Sequence, residues 1–150
     1  MIYSFNFPTV IDSAINDHTK TINIIVSDTA IAKYSDGSFS MGYDVETMGG
    51  GECTCNYSDN RKIVTITGRN SIYDISMKDG STTKYTPEEI LMHELVGHAI
   101  PMLLSVTDGS AIFNENTIRK ELRLNEREET YNDPVVNYNA NVKFLFMPNK

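Results

Sequence analysis

Tryptophan is absent, and only two cysteines occur, Cys53 and Cys55, one residue apart in GGGECTCNY. Cysteines that close do not easily pair, and two thiolates fill only half of a tetrahedral zinc shell, so both read as ordinary loop thiols. A disulfide-stapled or four-cysteine zinc scaffold is thereby excluded. No apolar run approaches the roughly 20 residues that span a bilayer, and MIYSFNFPTVIDSAIND lacks the basic and apolar halves of a signal peptide. Membrane insertion is not expected. Basic residues are also few, 13 against 20 acidic ones for a formal charge of −7, and they form no stripe outside the alternating run IRKELRLNEREE. Nucleic acid is therefore not an expected partner.

What is present describes an ordinary globular chain. Hydrophobic residues make up 40% and charged residues 22% of 150 residues, enough for one domain, 1–150, with its own core. IYSFNF alternates as a strand, TVIDSAIND has helical apolar spacing, and TINIIVS reads as a strand, giving a β-α-β opening. Glycines in DVETMGGGEC mark a loop. RKIVTITG is a strong strand pattern, SIYDISM a weaker one, and KDGS a turn. TPEE then supplies Thr86 as N-cap, Pro87 at the first helical position and Glu89 three residues after the cap. A second helix is expected from about Ser110 to Leu124, and VKFLF reads as a strand.

The first of these helices carries LMHELVGHAIP. Its apolar residues, Ile90, Leu91, Met92, Leu95, Val96, Ala99 and Ile100, cover every side of the wheel, so it should be buried nearly all round. His93, Glu94 and His98 then lie in an apolar setting, where an unpaired carboxylate is costly and a bound cation would remove the penalty. Two of the chain's three histidines flank one glutamate on this helix. In the zinc signature H-E-x-x-H the histidines are four apart and share a face. Here they are five apart, which on a regular α-helix leaves them about 140° from each other. A π-bulge would return them to one face. Gly97 tolerates unusual backbone angles, and Pro101 cannot donate to the Gly97 carbonyl, so distortion is expected at this point.

HELVGH resembles the H-E-L-L-G-H variant of the zinc signature in the dipeptidyl peptidase III family of gluzincins. More widely, TPEEILMHELVGHAIP with TDGSAIFNENTIRKEL and a following arginine, about residues 86–127, is similar to the zincin-like toxin domains of bacterial polymorphic toxins, Rhs-type proteins included, and of secreted effectors. The resemblance implies an α+β, zincin-like fold in which a twisted, mostly antiparallel sheet packs on the metal-binding helix and a second helix bears a further ligand. It implies zinc (Zn2+) as cofactor, with His93 and His98 as ligands, Glu94 as general base, and Glu115 of NENTIR as the third ligand. Periodicity agrees in part: Ala111, Glu115, Ile118 and Leu122 share one face of the second helix. Glu115 also stands four residues before Arg119, the spacing of a plain ion pair, and the two roles are compatible if Arg119 orients the carboxylate. Asn114 and Asn116 are candidates for fixing ligands or substrate. Asp108, Glu121, Glu126, Glu128 and Glu129 are other acids in reach of a ligand role, most of them in a charge run that reads as a solvated helix face. Tyr131 and His18 are donor types that could serve a tetrahedral intermediate, but no pattern ties either to the motif.

In this reading water on the zinc, its pKa lowered towards about 7, attacks a peptide carbonyl while Glu94 takes its proton and passes it to the leaving amine. The expected activity is that of an endopeptidase rather than an exopeptidase. Its substrate is a protein or peptide bound as an added strand against RKIVTITG or SIYDISM. A secreted or delivered effector domain, acting in the cytoplasm of producer or target, and a cognate immunity protein follow from the resemblance alone. Two other readings stand beside it: a zincin-fold protein whose metal is structural or lost, and an acidic module that binds a basic partner.

Overall fold

A computed structural model of the chain describes residues 16, 18–30, 42–56, 61–104 and 110–129. The central feature is a three-stranded sheet of order β1-β5-β4, made of β1 (Ile22–Val26), β4 (Gly51–Asn56) and β5 (Arg61–Ile66). β1 runs parallel to β5, with Ile24 opposite Val64, and β4 runs antiparallel to it, with Cys53 opposite Val64. Two short antiparallel pairs accompany it: β2 (Thr29–Ala30) with β3 (Tyr43–Asp44), and β6 (Ile75–Ser76) with β7 (Thr82–Thr83). The architecture is α+β, but the main sheet is mixed rather than mostly antiparallel. A parallel pair needs a crossover rather than a hairpin, and the chain passes through β2, β3 and β4 between β1 and β5.

Cys53, Val64 and Ile66 point from one face of this sheet into a core shared with Tyr85, Ile90 and Ala99. The last two belong to a helical run that begins with α1 (Pro87–Met92), continues through a π-helical segment (His93–Ala99) and ends with α2 (Ile100–Leu104). From Ile90 to Leu104 no residue of this run is exposed, as its all-round apolar pattern requires. α3 (Ala111–Glu121) packs against the π segment.

Several expectations are corrected. The glycine-rich stretch is a loop only as far as Gly50; Gly51 opens β4, so Cys53 lies in a strand, buried, with its Sγ 4.0 Å from Met102 Sδ. A side chain at position 51 would put Cβ 2.6 Å from Ile90 Cγ2 and 2.9 Å from Glu94 Cγ, so glycine lets the helix approach the strand. RKIVTITG is the central strand and has no edge to offer a peptide, while SIYDISM pairs over Ile75–Ser76 with β7 and through Met77 with Arg127. Of the two outer strands, β4 is the one that packs next to the helix. The KDGS turn is present, closed by a bond from Gly80 N–H to the Met77 carbonyl with Gly80 at φ 83°. The helix drawn to Leu124 stops at Glu121, because Arg123 takes a left-handed conformation (φ 58°) and turns the chain back. The strand IYSFNF, nearly all of the helix in TVIDSAIND, the strand VKFLF, Asp108 and Tyr131 lie outside the described residues.

Candidate metal centre

Thr86 begins the motif helix as expected. Its side chain accepts from Glu89 N–H at 3.3 Å while the Glu89 carboxylate accepts from Thr86 N–H at 3.1 Å, a complete capping box. Six residues of regular helix follow, and the register then changes. Ile100 N–H donates to Leu95, five residues back, and this wider turn accommodates the extra residue between the histidines. Gly97 is buried in this segment, and a Cβ there would stand 2.9 Å from the Cβ of Ala111, so glycine is also what brings α3 close.

The consequence is that His93 and His98 face each other. Their Nε2 atoms are 3.3 Å apart, with the rings crossed at 80°. A tetrahedral zinc with bonds of about 2.0–2.1 Å to nitrogen holds two donors about 3.3 Å from each other, so this spacing fits a shared ion. His93, Glu94 and His98 offer ligand atoms all within 4.8 Å of one another, the one such group among the described residues that could hold a metal.

Glu115 is fully buried on the face of α3 that meets this helix, but it meets His93 from behind. His93 Nδ1 donates to Glu115 Oε2 at 2.8 Å, which leaves Nε2 as the ring's open lone pair on the side of His98. In this arrangement Glu115 orients a histidine and does not itself converge with the two Nε2 atoms. Its other oxygen is held by the Tyr85 hydroxyl and by Arg119 Nε at 2.6 Å. Arg119 then reaches Glu89 Oε1 at 2.9 Å and the Asn125 carbonyl at 3.0 Å, and its guanidinium lies 4.8 Å over the Tyr85 ring. The capping residue Glu89 thus also anchors the site. Asn116 accepts from Arg127 N–H at 2.7 Å and donates to the Arg127 carbonyl at 2.8 Å, fixing backbone rather than a ligand or substrate. Asn114 is buried nearby on the same helix.

The electrostatics follow from burial. Burial pushes the Glu94 carboxyl up to about 7, opposed by His93 and reinforced by Glu115. Burial also drives the His98 imidazole well below its ordinary 6.5, with His93 and Arg127 acting in the same direction. Burial alone would raise Glu115, yet the hydrogen bond and charge of His93, together with Tyr85 and Arg119, hold it down at about 2. Burial and the Glu115 carboxylate raise the Tyr85 phenol, so it remains a donor.

Two participants carried no assigned role in the chain. Tyr85 sits just before the cap and belongs to no motif; Arg127 is the arginine that closes the resemblance at residues 86–127, but it lies in the charge run, which reads as a solvated helix face. That reading holds for Glu121; Glu128 and Glu129 are exposed but lie beyond the helix, as does Glu126, which is partly exposed and pairs with Lys78 at 2.6 Å. It fails for Arg119, buried to 1%, and for Arg127, whose Nη1 lies 3.7 Å from Glu115 Oε2. His18 is exposed in a turn before β1. No helix of the described residues is long and apolar enough to cross a membrane. No protein-family model, curated protein or solved structure matches the chain.

Proposed function

We propose that this chain is a zinc-dependent peptidase domain of zincin type, and that it acts as a toxin or effector on a protein of a target cell. The observation that carries the reading is the meeting of His93 and His98 at 3.3 Å across a π-helical turn, next to a buried glutamate. A π turn is rare and costs regular hydrogen bonding, so its coincidence with the motif favours a functional cause. The motif's resemblance to the lengthened gluzincin signature and to zincin-like toxin domains supports the chemistry and the biological role.

His93 and His98 would hold the ion through Nε2. Bound there, zinc supplies a Lewis acid that polarises a carbonyl and acidifies water. Glu94, whose carboxyl titrates near neutrality before metal is bound, is suited to take a proton from the attacking water and return it to the leaving amine. Glu115 keeps His93 in the tautomer that leaves Nε2 open, and Tyr85 and Arg119 keep Glu115 charged and in place. Direct ligation by Glu115, the resemblance's expectation, requires Oε2 to leave Nδ1. An extended substrate lying alongside β4 would run past Gly51, against which Glu94 packs.

The test is zinc content by elemental analysis with no metal added during purification, alongside peptide cleavage. About one zinc per chain is expected in wild type and none in His98→Ala. Glu94→Gln should keep its zinc and lose about 10²- to 10⁴-fold in rate. Glu115→Gln should weaken zinc binding about 10- to 100-fold if Glu115 acts through His93, and abolish it if Glu115 is a ligand. Zinc retained in His98→Ala sinks the proposal. Zinc present with no cleavage, and no effect of Glu94→Gln, would favour a structural ion, the second reading, for which the burial of both Glu94 and His98 speaks.

A further inference from the structure

Two arginines approach Glu115, and they differ in what is left over. Arg119 has a side chain only 2% exposed, and its nitrogens are engaged by Glu115, Glu89 and the Asn125 carbonyl. It already balances Glu115. The Arg127 side chain is 23% exposed, stops 3.7 Å short of Glu115 and lies 5.8 Å over the Tyr85 ring, and its guanidinium makes no hydrogen bond to any described residue. A guanidinium with five donors and only a distant carboxylate has capacity for a further acceptor.

Its backbone, by contrast, is held on every side. Asn116 grips both the N–H and the carbonyl of Arg127. Met77 forms a β-bridge with it, and the flanking residues bond to the same strand region, Lys78 N–H to the Glu126 carbonyl and Glu128 N–H to the Ser76 carbonyl, both at 2.9 Å. The chain thus spends a buried asparagine and a three-residue strand pairing on placing one half-open cation. The placement is specific: Arg127 Nη1 and His93 Nδ1 share Glu115 Oε2, at 3.7 Å and 2.8 Å, so the guanidinium is joined to the His93–His98 pair through that one carboxylate. Neighbouring residues of an extended peptide are about 3.3 Å apart, so a group one or two residues from the scissile bond can reach the guanidinium.

We propose that Arg127 is a specificity residue that receives a carboxylate of the substrate, carried close to the cleaved bond. The inference rests on the peptidase reading for its place in a reaction, but not for its test. The acceptor is an Asp or Glu side chain or a free C-terminal carboxylate, and a planar guanidinium takes either in a two-pronged pair.

Binding is measured without turnover on zinc-loaded Glu94→Gln protein, following the Arg127 Nε–H resonance by NMR. The probes are acetyl-Ala-Ala-Asp-Ala-Ala-amide, its Asn counterpart, and acetyl-pentaalanine with a free or an amidated C-terminus. A carboxylate peptide is expected to bind roughly 10- to 100-fold more tightly than its neutral partner and to move the Arg127 signal, the factor that a hydrogen bond to a charged group supports. In the background of Arg127→Gln that ratio should fall to about one, and Arg127→Lys should retain part of it. Circular dichroism and urea unfolding check that both variants are folded. Preference for the amidated Asp peptide assigns a side-chain carboxylate. Preference confined to the free terminus assigns the substrate's end and makes the enzyme a carboxypeptidase. Equal binding of charged and neutral peptides, or a preference that survives in Arg127→Gln, overturns the proposal. Carboxylate selection without any cleavage by wild type would sink the peptidase reading and leave this one standing, and cleavage without selection would do the reverse.

Discussion

The π segment and α3 face each other, and each brings two side chains to one point by a different rule. In α3, Glu115 and Arg119 are four residues apart on a regular helix and meet at 2.6 Å. In the π segment, His93 and His98 are five apart and meet at 3.3 Å because the backbone has taken up one more residue per closure. The same spacing of five in α3 would point the two groups about 140° apart. Residue spacing is therefore meaningful only together with the backbone register beneath it. The two helices come closest where Gly97 lies against Ala111, within the π segment.

The comparison can be broken most severely on the regular side. Arg119→Met removes the partner of a fully buried carboxylate, and a loss of about 3–5 kcal/mol is expected in chemical denaturation. A loss under 1 kcal/mol would mean that Tyr85 and His93 suffice for Glu115.

On the π side, Glu94 provides a pH test in metal-free protein. Its carboxyl titrates near 7 when folded and 4.5 when exposed, so the folded chain keeps a proton that the unfolded chain releases. That contribution is intact below about 4.5 and is lost as pH rises through 7. Glu94→Gln, neutral throughout, should therefore gain on wild type by about 2–3 kcal/mol between pH 5 and pH 8. A difference independent of pH would show that Glu94 is not held in an apolar site.

Gly97→Ala attacks the contact itself. The new Cβ meets Ala111 at 2.9 Å, and alanine also favours a regular helix, so a loss of about 1–3 kcal/mol and weaker zinc binding are expected together. Stability lost with zinc affinity unchanged would separate the packing from the register.

The mildest changes sharpen the comparison at the two helix starts. Thr86 and Ser110 both cap by accepting a hydrogen bond, from Glu89 N–H and from Phe113 N–H. Alanine at either should cost about 1 kcal/mol. Thr86→Ala should cost more, since its capping box also positions the Glu89 carboxylate that holds Arg119. Equal losses would mean that Glu89 needs no cap to stay in place.

Much of the site was legible because it rests on local rules. The cap at Thr86, the distortion around Gly97 and Pro101, and the inward position of Glu115 all follow from geometry within a single turn or two. The error on α3 is instructive. Ile118 and Leu122 were assigned to the inward face, yet Leu122 is 60% exposed, while Arg119 is buried to 1%. Apolar periodicity misreads a helix whose buried face is a satisfied ion pair, because a charge matched by its partner can be buried where an unmatched one cannot. The position of Arg127 beside Glu115 was hidden for a related reason: it lies beyond the left-handed turn at Arg123 that ends α3.

By itself, the sequence determined several elements and some of their limits: the capped helix start, the turn at Gly80, the strands of β1 and β5, and a histidine spacing that no regular helix could use. These depend on side-chain propensity and short-range hydrogen bonding. Only the tertiary structure decided which strand is central, that the extra residue becomes a π turn, and which nitrogen of His93 meets Glu115. It also placed Tyr85, Arg119 and Arg127 around one carboxylate. Those outcomes come from contacts between separate elements, such as His93 with Glu115 and Tyr85 with Glu115, or from chain reversal, and the energy of a buried charge is settled only once every neighbour is in place.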